Sequence, residues 1–452
     1  MSLSTLKSVY ILLFPPIRRL PLILCWVFIF TSQLGKASPE FSAQVESRVR
    51  FEHLDGQFRT NPGSSDQALF NRTLAALSGN YQSLEATLEL IDARDIANIA
   101  DANTPLSTST NNPTDILQIN LAFNYIDFFC DGCELKLKAG RMTLNWGSRR
   151  LLARNRFRNT INAFTGLHGQ WQNNVGSRWQ FLYSSPVQRR VDGSPSENNP
   201  KLDEAISSTR LWGLAYQPKS TDFVKSEWIL LGLQEQDTLA TRTRGRELFT
   251  LNTVLESQKP LNSWFWQIEL AYQWGRSRLN ASSETLDHSA YFAHAHIGHP
   301  LKHGKLSALI DYASGDKNPN DGENNRFDTL FGARRFDFGP TSIYGPFSRA
   351  NLITPGIRWQ TQINTVNFST TWRYFQLAER ADNWSAVGVS PASVNESSTE
   401  LGHQWEARWR WHDKTQTVHI DLGGAYLWAG DFLKSINRGD ARFIYSSITY
   451  KF

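Results

Sequence analysis

The sequence predicts an all-β protein: a single antiparallel transmembrane β-barrel of about eighteen strands, with short periplasmic turns and long extracellular loops. Three observations carry this reading. Runs of nine to eleven residues alternate apolar and polar, as in Trp264, Trp266, Ile268, Leu270, Tyr272 and Trp274 against Gln267, Glu269 and Gln273. A strand turns successive side chains to opposite faces, and a tilted strand of that length crosses a bilayer with its aromatic ends at the headgroups. Second, 16 Trp and 27 Phe coexist with a negative mean hydropathy, the balance expected when apolar residues occupy every second position. Third, the connections alternate between short (Ser78-Gly79-Asn80, Ile363-Asn364-Thr365) and long (93–115, 185–207, 315–349, 379–400). A water-soluble barrel would need the aromatic stripes turned inward, and stripes with Trp and Tyr at their ends fit lipid better.

The first 37 residues stand apart. Lys7, Arg18 and Arg19 precede an apolar run from Leu20 to Phe30, followed by small and polar residues ending Gly35-Lys36-Ala37. This is the pattern of a signal peptide cleaved near Ala37, leaving 38–452 as the barrel. The run is shorter than the ~20 residues of a spanning anchor, and Leu24 is too large to precede a lipidated Cys25. The segment carries four cations and no acid, so its removal lowers the net charge from +5 to +1. Global charge therefore implies no nucleic-acid partner; electrostatic function must come from where charges sit.

Strands are expected near 43–54, 67–78, 81–92, 116–129, 134–146, 160–172, 176–184, 208–217, 223–233, 246–256, 263–275, 288–298, 304–314, 350–362, 366–378, 401–412, 417–428 and 441–452. In the first, Val45, Val49 and Phe51 oppose Glu46, Arg48, Arg50 and Glu52. The fourth and fifth form a hairpin about Cys130-Asp131-Gly132-Cys133, where Asp-Gly is a strong two-residue turn signal. In an exported chain Cys130 and Cys133 are disulfide candidates; no second Cys pair exists to complete a zinc site. After Gly140 the apolar set shifts by one, to Met142, Leu144 and Trp146, which suggests a bulge. The last strand ends Ile448-Thr449-Tyr450-Lys451-Phe452, and Tyr450 with Phe452 resemble the signal that the bacterial barrel-assembly machinery reads. An even strand count also leaves both ends on the short-turn side, and closure on the last strand is required because an open edge cannot sit in lipid. Together these place the protein in the outer membrane of a Gram-negative bacterium, among lipid and lipopolysaccharide.

Four segments resemble the alginate export family of outer membrane proteins. They are Gly140-Arg141-Met142-Thr143-Leu144-Asn145-Trp146-Gly147 with Arg149, Arg150, Leu151 and Arg156-Phe157-Arg158-Asn159 after it; Asp311-Tyr312-Ala313-Ser314-Gly315-Asp316-Lys317-Asn318-Pro319 through Phe327-Asp328-Thr329-Leu330-Phe331; Leu401-Gly402-His403; and Tyr426-Leu427-Trp428-Ala429-Gly430-Asp431-Phe432. Their order covers most of the chain after residue 37. The resemblance implies an eighteen-stranded barrel with an electropositive path for an acidic polysaccharide. Met142 stands where the family often carries Gln, and the cysteine turn is not a general family feature.

Parity places Arg48, Arg50, Arg141, Arg358, Arg373, Arg408 and Arg410 on the lumen face, and Arg149, Arg150, Arg154, Arg156 and Arg158 in a loop able to fold inward. A guanidinium stays charged and pairs bidentately with a uronate carboxylate, and several weak sites let a polymer leave as well as enter. Each arginine singly could instead form an internal ion pair with Glu46, Glu85, Glu89, Asp311 or Glu406; the set as a whole reads as an anion-selective conduit. The alternative is a porin taking up small anionic solutes such as sugar acids. The expected partners are an acidic polysaccharide or oligosaccharide and a periplasmic export component. No cofactor, metal site or catalytic residue is expected. His294 and His296 with His299 and His303 lack three convergent ligands. Asp316, Asn318 and Asn320 imitate the start of a calcium loop, but glycine falls at 322, and Phe327 stands where a helix–loop–helix site needs Glu. No Gly-x-Ser-x-Gly segment is present, so transport without chemistry is the reading.

Overall fold

The computed structural model describes residues 38–97, 99, 104–239, 242–258 and 264–452; the signal peptide expected over 1–37 lies outside them. Twenty strands follow one another: β1 Glu40–Asp55, β2 Ser65–Tyr81, β3 Leu84–Ile96, β4 Asn112–Ile126, β5 Glu134–Met142, β6 Phe164–Gln172, β7 Arg178–Asp192, β8 Asn199–Ala205, β9 Thr209–Gln217, β10 Val224–Glu235, β11 Glu247–Ser257, β12 Phe265–Ser277, β13 Leu286–Leu301, β14 Gly304–Ala313, β15 Glu323–Asn324, β16 Leu352–Ile363, β17 Val366–Gln376, β18 Glu400–His412, β19 Val418–Ala429 and β20 Ala441–Lys451. Eighteen make one antiparallel wall, each paired with its neighbour. β20 returns to β1 in register from Glu46 opposite Lys451 to Asp55 opposite Arg442, which closes the ring and leaves no edge in lipid. All eighteen correspond to expected strands. β8 and β15 are additions outside the ring, on the long-loop side.

Orientation follows the alternation. Leu121, Leu270 and Ile448 are 62%, 55% and 51% exposed, whereas Arg50, Glu52 and Glu269 on inward positions are nearly inaccessible. Tyr450 and Phe452 lie on the outer face, the latter exchanging two backbone hydrogen bonds with Val45.

The interior departs from a uniformly watery bore. Loops 143–163 and 325–351 fold into the barrel and bring an apolar core with them. Phe347 stacks on Phe375 at 3.6 Å and Tyr344 on Phe443 at 5.1 Å, with Phe338, Ile343 and Trp384 in the same cluster. Burying each such ring stabilises by about 1.5–3 kcal/mol, enough to hold a loop inside the wall. A second cluster packs Leu144, Trp146, Leu151 and Leu152 against Leu211, Ile229 and Leu231.

Three local expectations are corrected. The Cys130 turn is not a two-residue hairpin: β4 ends at Ile126 and β5 begins at Glu134, and Asp127, Phe129 and Gly132 all adopt positive φ in between. Cys130 and Cys133 are disulfide-bonded, with Cα atoms 5.3 Å apart. Gly140 makes no bulge, because it stays in register opposite Asn120; the irregular pairing is between β3 and β4. Met142 keeps its inward parity, and β5 stops there. Leu144 and Trp146 therefore turn into the lumen instead of continuing a lipid-facing strand to 146. β5 and β6 are nine residues each beside fifteen-residue β4 and β7, and β8, paired with β7, packs on β4 above them.

Candidate functional site

The inward loops divide the lumen. Below them lies a cavity of about 650 Å³ that reaches strand ends at the short turns (His412, His419, Lys451) and is lined by ten arginines and Lys451 against Glu46, Glu406 and Asp421. Of the expected residues, Arg48, Arg50, Arg149, Arg154, Arg358, Arg408 and Arg410, with Arg156, line it. Arg141 does not. Its guanidinium donates to Asp115 Oδ1 at 3.2 Å and to the carbonyls of Ile116 and Asp203, which anchors β8 to the wall. Arg150 and Arg373 also lie outside this cavity, in a buried charge network. Arg158 lines a separate space.

Most of these arginines are already engaged. Arg48 on β1 donates to the carbonyls of Arg156, Phe157 and Arg158, each at 3.2 Å, and to Asn159 Oδ1 at 3.1 Å. Arg50 bonds the Phe157 carbonyl, lies 4.7 Å from the centre of that ring and pairs with Glu52. Arg72 on β2 reaches the carbonyls of Arg156 and Arg158 at 2.9 and 3.0 Å. Three wall cations thus satisfy the carbonyls of an extended segment that no strand pairs, which a buried loop requires. Arg154 pairs with Glu89 at 2.6 Å, Arg156 with Glu46, Arg335 with Glu406 at 2.5 Å, and Arg408 with Asp421 through Nε at 2.9 Å. Among the described residues, Arg149, Arg358 and Arg410 form no ion pair. Arg149 lies over the Phe336 ring at 5.1 Å, and Arg358 donates to the Phe336 carbonyl at 2.6 Å.

Behind the plug, Arg150 bridges Asp337 (2.9 and 3.0 Å) and Glu269 (2.7 Å). Arg349 also pairs with Asp337, Arg373 with Asp311 at 2.6 Å, and His294 Nδ1 with Asp311 at 2.7 Å. Although burial opposes it, Arg150 and Arg349 hold the Asp337 carboxyl well below the usual carboxylate range. His294, Asp311 and Asp337 converge closely enough to suggest a metal, but three guanidiniums already occupy the carboxylates and would repel a cation.

Above the plug a cavity of about 280 Å³, sharing Asn155 with the first, is lined by Arg158, Arg189, Arg334 and Arg349 and by no carboxylate. Arg158 and Arg189 both donate to Asn162 Oδ1, at 2.7 and 3.2 Å. Burial first, then Arg189, pushes the Arg158 guanidinium down to about 9; burial and Arg349 push Arg334 to about 10. An anion entering there would relieve both effects. Sequence reasoning missed Arg72, Arg189, Arg334, Arg335 and Arg349. Arg72 is the one a signal could have found, since it alternates inward on β2; Arg334, Arg335 and Arg349 belong to a loop with no periodicity.

A family model described as alginate export matches residues 40–444. Solved structures share the fold at low identity. Acinetobacter baumannii OccAB2 is 13% identical with a TM-score of 0.60, covering 91% of this chain and 98% of that one. Pseudomonas aeruginosa OccK5 (OpdH) is 14% identical, at 0.57 over 91% and 98%. Pseudomonas aeruginosa OpdK with vanillate is 11% identical, at 0.56 over 91% and 98%. No curated protein matches the chain.

Proposed function

The chain belongs to the alginate export family, and on that premise we propose that this outer membrane channel passes an anionic polysaccharide of the alginate kind, or its oligomers, along its arginine-lined lumen. The observation that carries the reading is the lower cavity: eleven cations face three carboxylates, and Arg149, Arg358 and Arg410 are left without an internal acid. Unpaired guanidiniums in a confined, partly desolvated space attract carboxylates and reject cations, and their number offers a polymer successive weak holds. Transport of this kind needs no bond-making step. Cleavage after residue 37, insertion by the barrel-assembly machinery and delivery by a periplasmic export partner belong to the same proposal.

A second reading, uptake of small anions such as sugar acids, has its own support. The two cavities meet at Asn155 and have room for a small carboxylate rather than a chain of sugars while the plug is in place. OpdK, of the same fold, was crystallised with vanillate. Conductance in planar bilayers separates the two readings. Block by polyuronate oligomers and not by neutral sugars supports the first; passage of small sugar acids without polyuronate block supports the second. Equal passage of small solutes of either charge overturns both.

A further inference from the structure

The cavity of about 280 Å³ above the plug is bordered from both inward loops, by Arg158 of 143–163 and by Arg334 and Thr341 of 325–351. Arg189, at the long-loop end of β7, adds a cation from the wall. Among the described residues none of these three guanidiniums forms an ion pair, and their hydrogen-bond acceptors are neutral oxygens. Arg158 and Arg189 share Asn162 Oδ1, at 2.7 and 3.2 Å, which fixes their heads side by side. Arg189 also donates to the Thr108 carbonyl at 2.7 Å, and Arg334 to the Phe347 carbonyl at 2.8 Å. Asp203 acts favourably on Arg189 but does not line the cavity.

The opposite side carries a second unanswered group. Thr341 is only 3% exposed, and its hydroxyl has no hydrogen-bond partner among the described residues. A buried hydroxyl normally finds one. It stands beside the Arg334 head: a Cβ added at Gly345 would lie 3.2 Å from Arg334 Nη2 and 3.3 Å from Thr341 Cα. Arg349, on the same lining, gives its Nη2 to Asp337 and leaves Nε without a partner. Like charges are thus gathered in a buried space, with a free donor among them and no acid facing them.

We propose that this cavity binds one small tetrahedral oxyanion, of the sulfate or phosphate kind, between Arg158, Arg189 and Arg334, with the Thr341 hydroxyl donating to it. A planar carboxylate is matched by the fork of a single guanidinium. The donors here come from three separate segments, and a tetrahedral oxyanion offers oxygens in diverging directions as well as two charges. Once bound, it links both plug loops to β7. It is a resident ion, and its binding does not depend on which solute the channel carries.

The test uses the full barrel refolded into detergent in sodium chloride, free of lipopolysaccharide. It is titrated calorimetrically with sodium sulfate, sodium phosphate and sodium glucuronate, and folding of each variant is checked by the gel shift of the unheated barrel. Sulfate and phosphate should each saturate one site with Kd of about 0.1–1 mM, and glucuronate should bind about tenfold more weakly or worse. Arg334→Gln should weaken sulfate by about tenfold or more. Thr341→Val removes a hydroxyl that bonds nothing in the protein, so it keeps the fold even if Arg334→Gln does not, and should weaken sulfate by about threefold or more. Arg410→Gln, in the lower cavity, should weaken it less than Arg334→Gln does. Absence of saturable sulfate heat overturns the proposal, as does an unchanged affinity in Thr341→Val or an equal loss in Arg410→Gln. Glucuronate binding as tight as sulfate would make the cavity a stage of a carboxylate path and overturn it too. Block of the current by polyuronate is a separate measurement, so either result stands without the other.

Discussion

Arg48 on the barrel wall donates a hydrogen bond to the backbone carbonyl of Phe157, on the plug, at 3.2 Å. The same guanidinium also reaches the carbonyls of Arg156 and Arg158. A residue that parity assigns to the anion path is therefore a bolt for the loop that narrows it. Hydrogen bonds from a charged donor contribute about 1.5–3 kcal/mol each. Arg48→Gln should leave the barrel folded but loosen segment 156–159, giving larger and noisier single-channel conductance. Conductance identical to the unmodified barrel would show that Arg50 and Arg72 hold the segment alone.

Arg408 and Arg410 lie on one face of β18 but have different partners. Arg408 is locked to Asp421, whereas Arg410 faces the cavity without an acid. Arg410→Glu should shift the reversal potential in a salt gradient towards cations with little loss of thermal stability. Arg408→Gln should cost about 1–3 kcal/mol through the abandoned carboxylate and shift the reversal potential in the same direction by less than Arg410→Glu, because it removes one positive charge from the cavity where Arg410→Glu reverses one. The same reversal potential in Arg410→Glu and the unmodified barrel would remove Arg410 from the conducting path.

Asp337 sets how the plug answers acid. Its carboxyl is held well below the usual range by Arg150 and Arg349, against burial. A depressed folded value means that the stabilisation is present above the unfolded value of about 3.9 and is lost as pH falls through the folded one. Plug-limited conductance should accordingly stay flat from about pH 8 to about pH 5 and rise only in stronger acid. Asp337→Asn should mimic that opening at neutral pH, because it leaves two buried guanidiniums short of a partner, a loss of about 3–5 kcal/mol.

The Cys130–Cys133 disulfide closes a very short loop, and chain entropy predicts a contribution of about 2 kcal/mol. Replacing both cysteines by serine should lower the unfolding temperature of the barrel slightly and leave conductance unaltered, since the turn is far from the plug along β4 and β5. A change in conductance equal to that of Arg48→Gln would contradict this.

The eighteen wall strands were legible because a membrane strand must repeat every two residues and its outer face must be apolar. Leu121, Leu270 and Ile448 could only face lipid once that rule is applied. The inward loops were not legible. Leu144 and Trp146 continue an alternating pattern and read as strand, yet they pack on Leu211 and Ile229 inside the barrel. Local periodicity does not record whether an apolar side chain meets lipid or a neighbouring wall.

The sequence by itself determined the fold, its strand number, and the facing of aromatic and ionic side chains, because alternation and strand length depend on neighbours along the chain. Only the tertiary structure decided which arginines are available to an anion. Arg48, Arg150 and Arg373 bond to carbonyls and carboxylates from segments distant in sequence, while Arg149, Arg358 and Arg410 are left without an acid. Which partner a guanidinium finds depends on loops that cross the lumen, and that encounter exists only after the ring has closed.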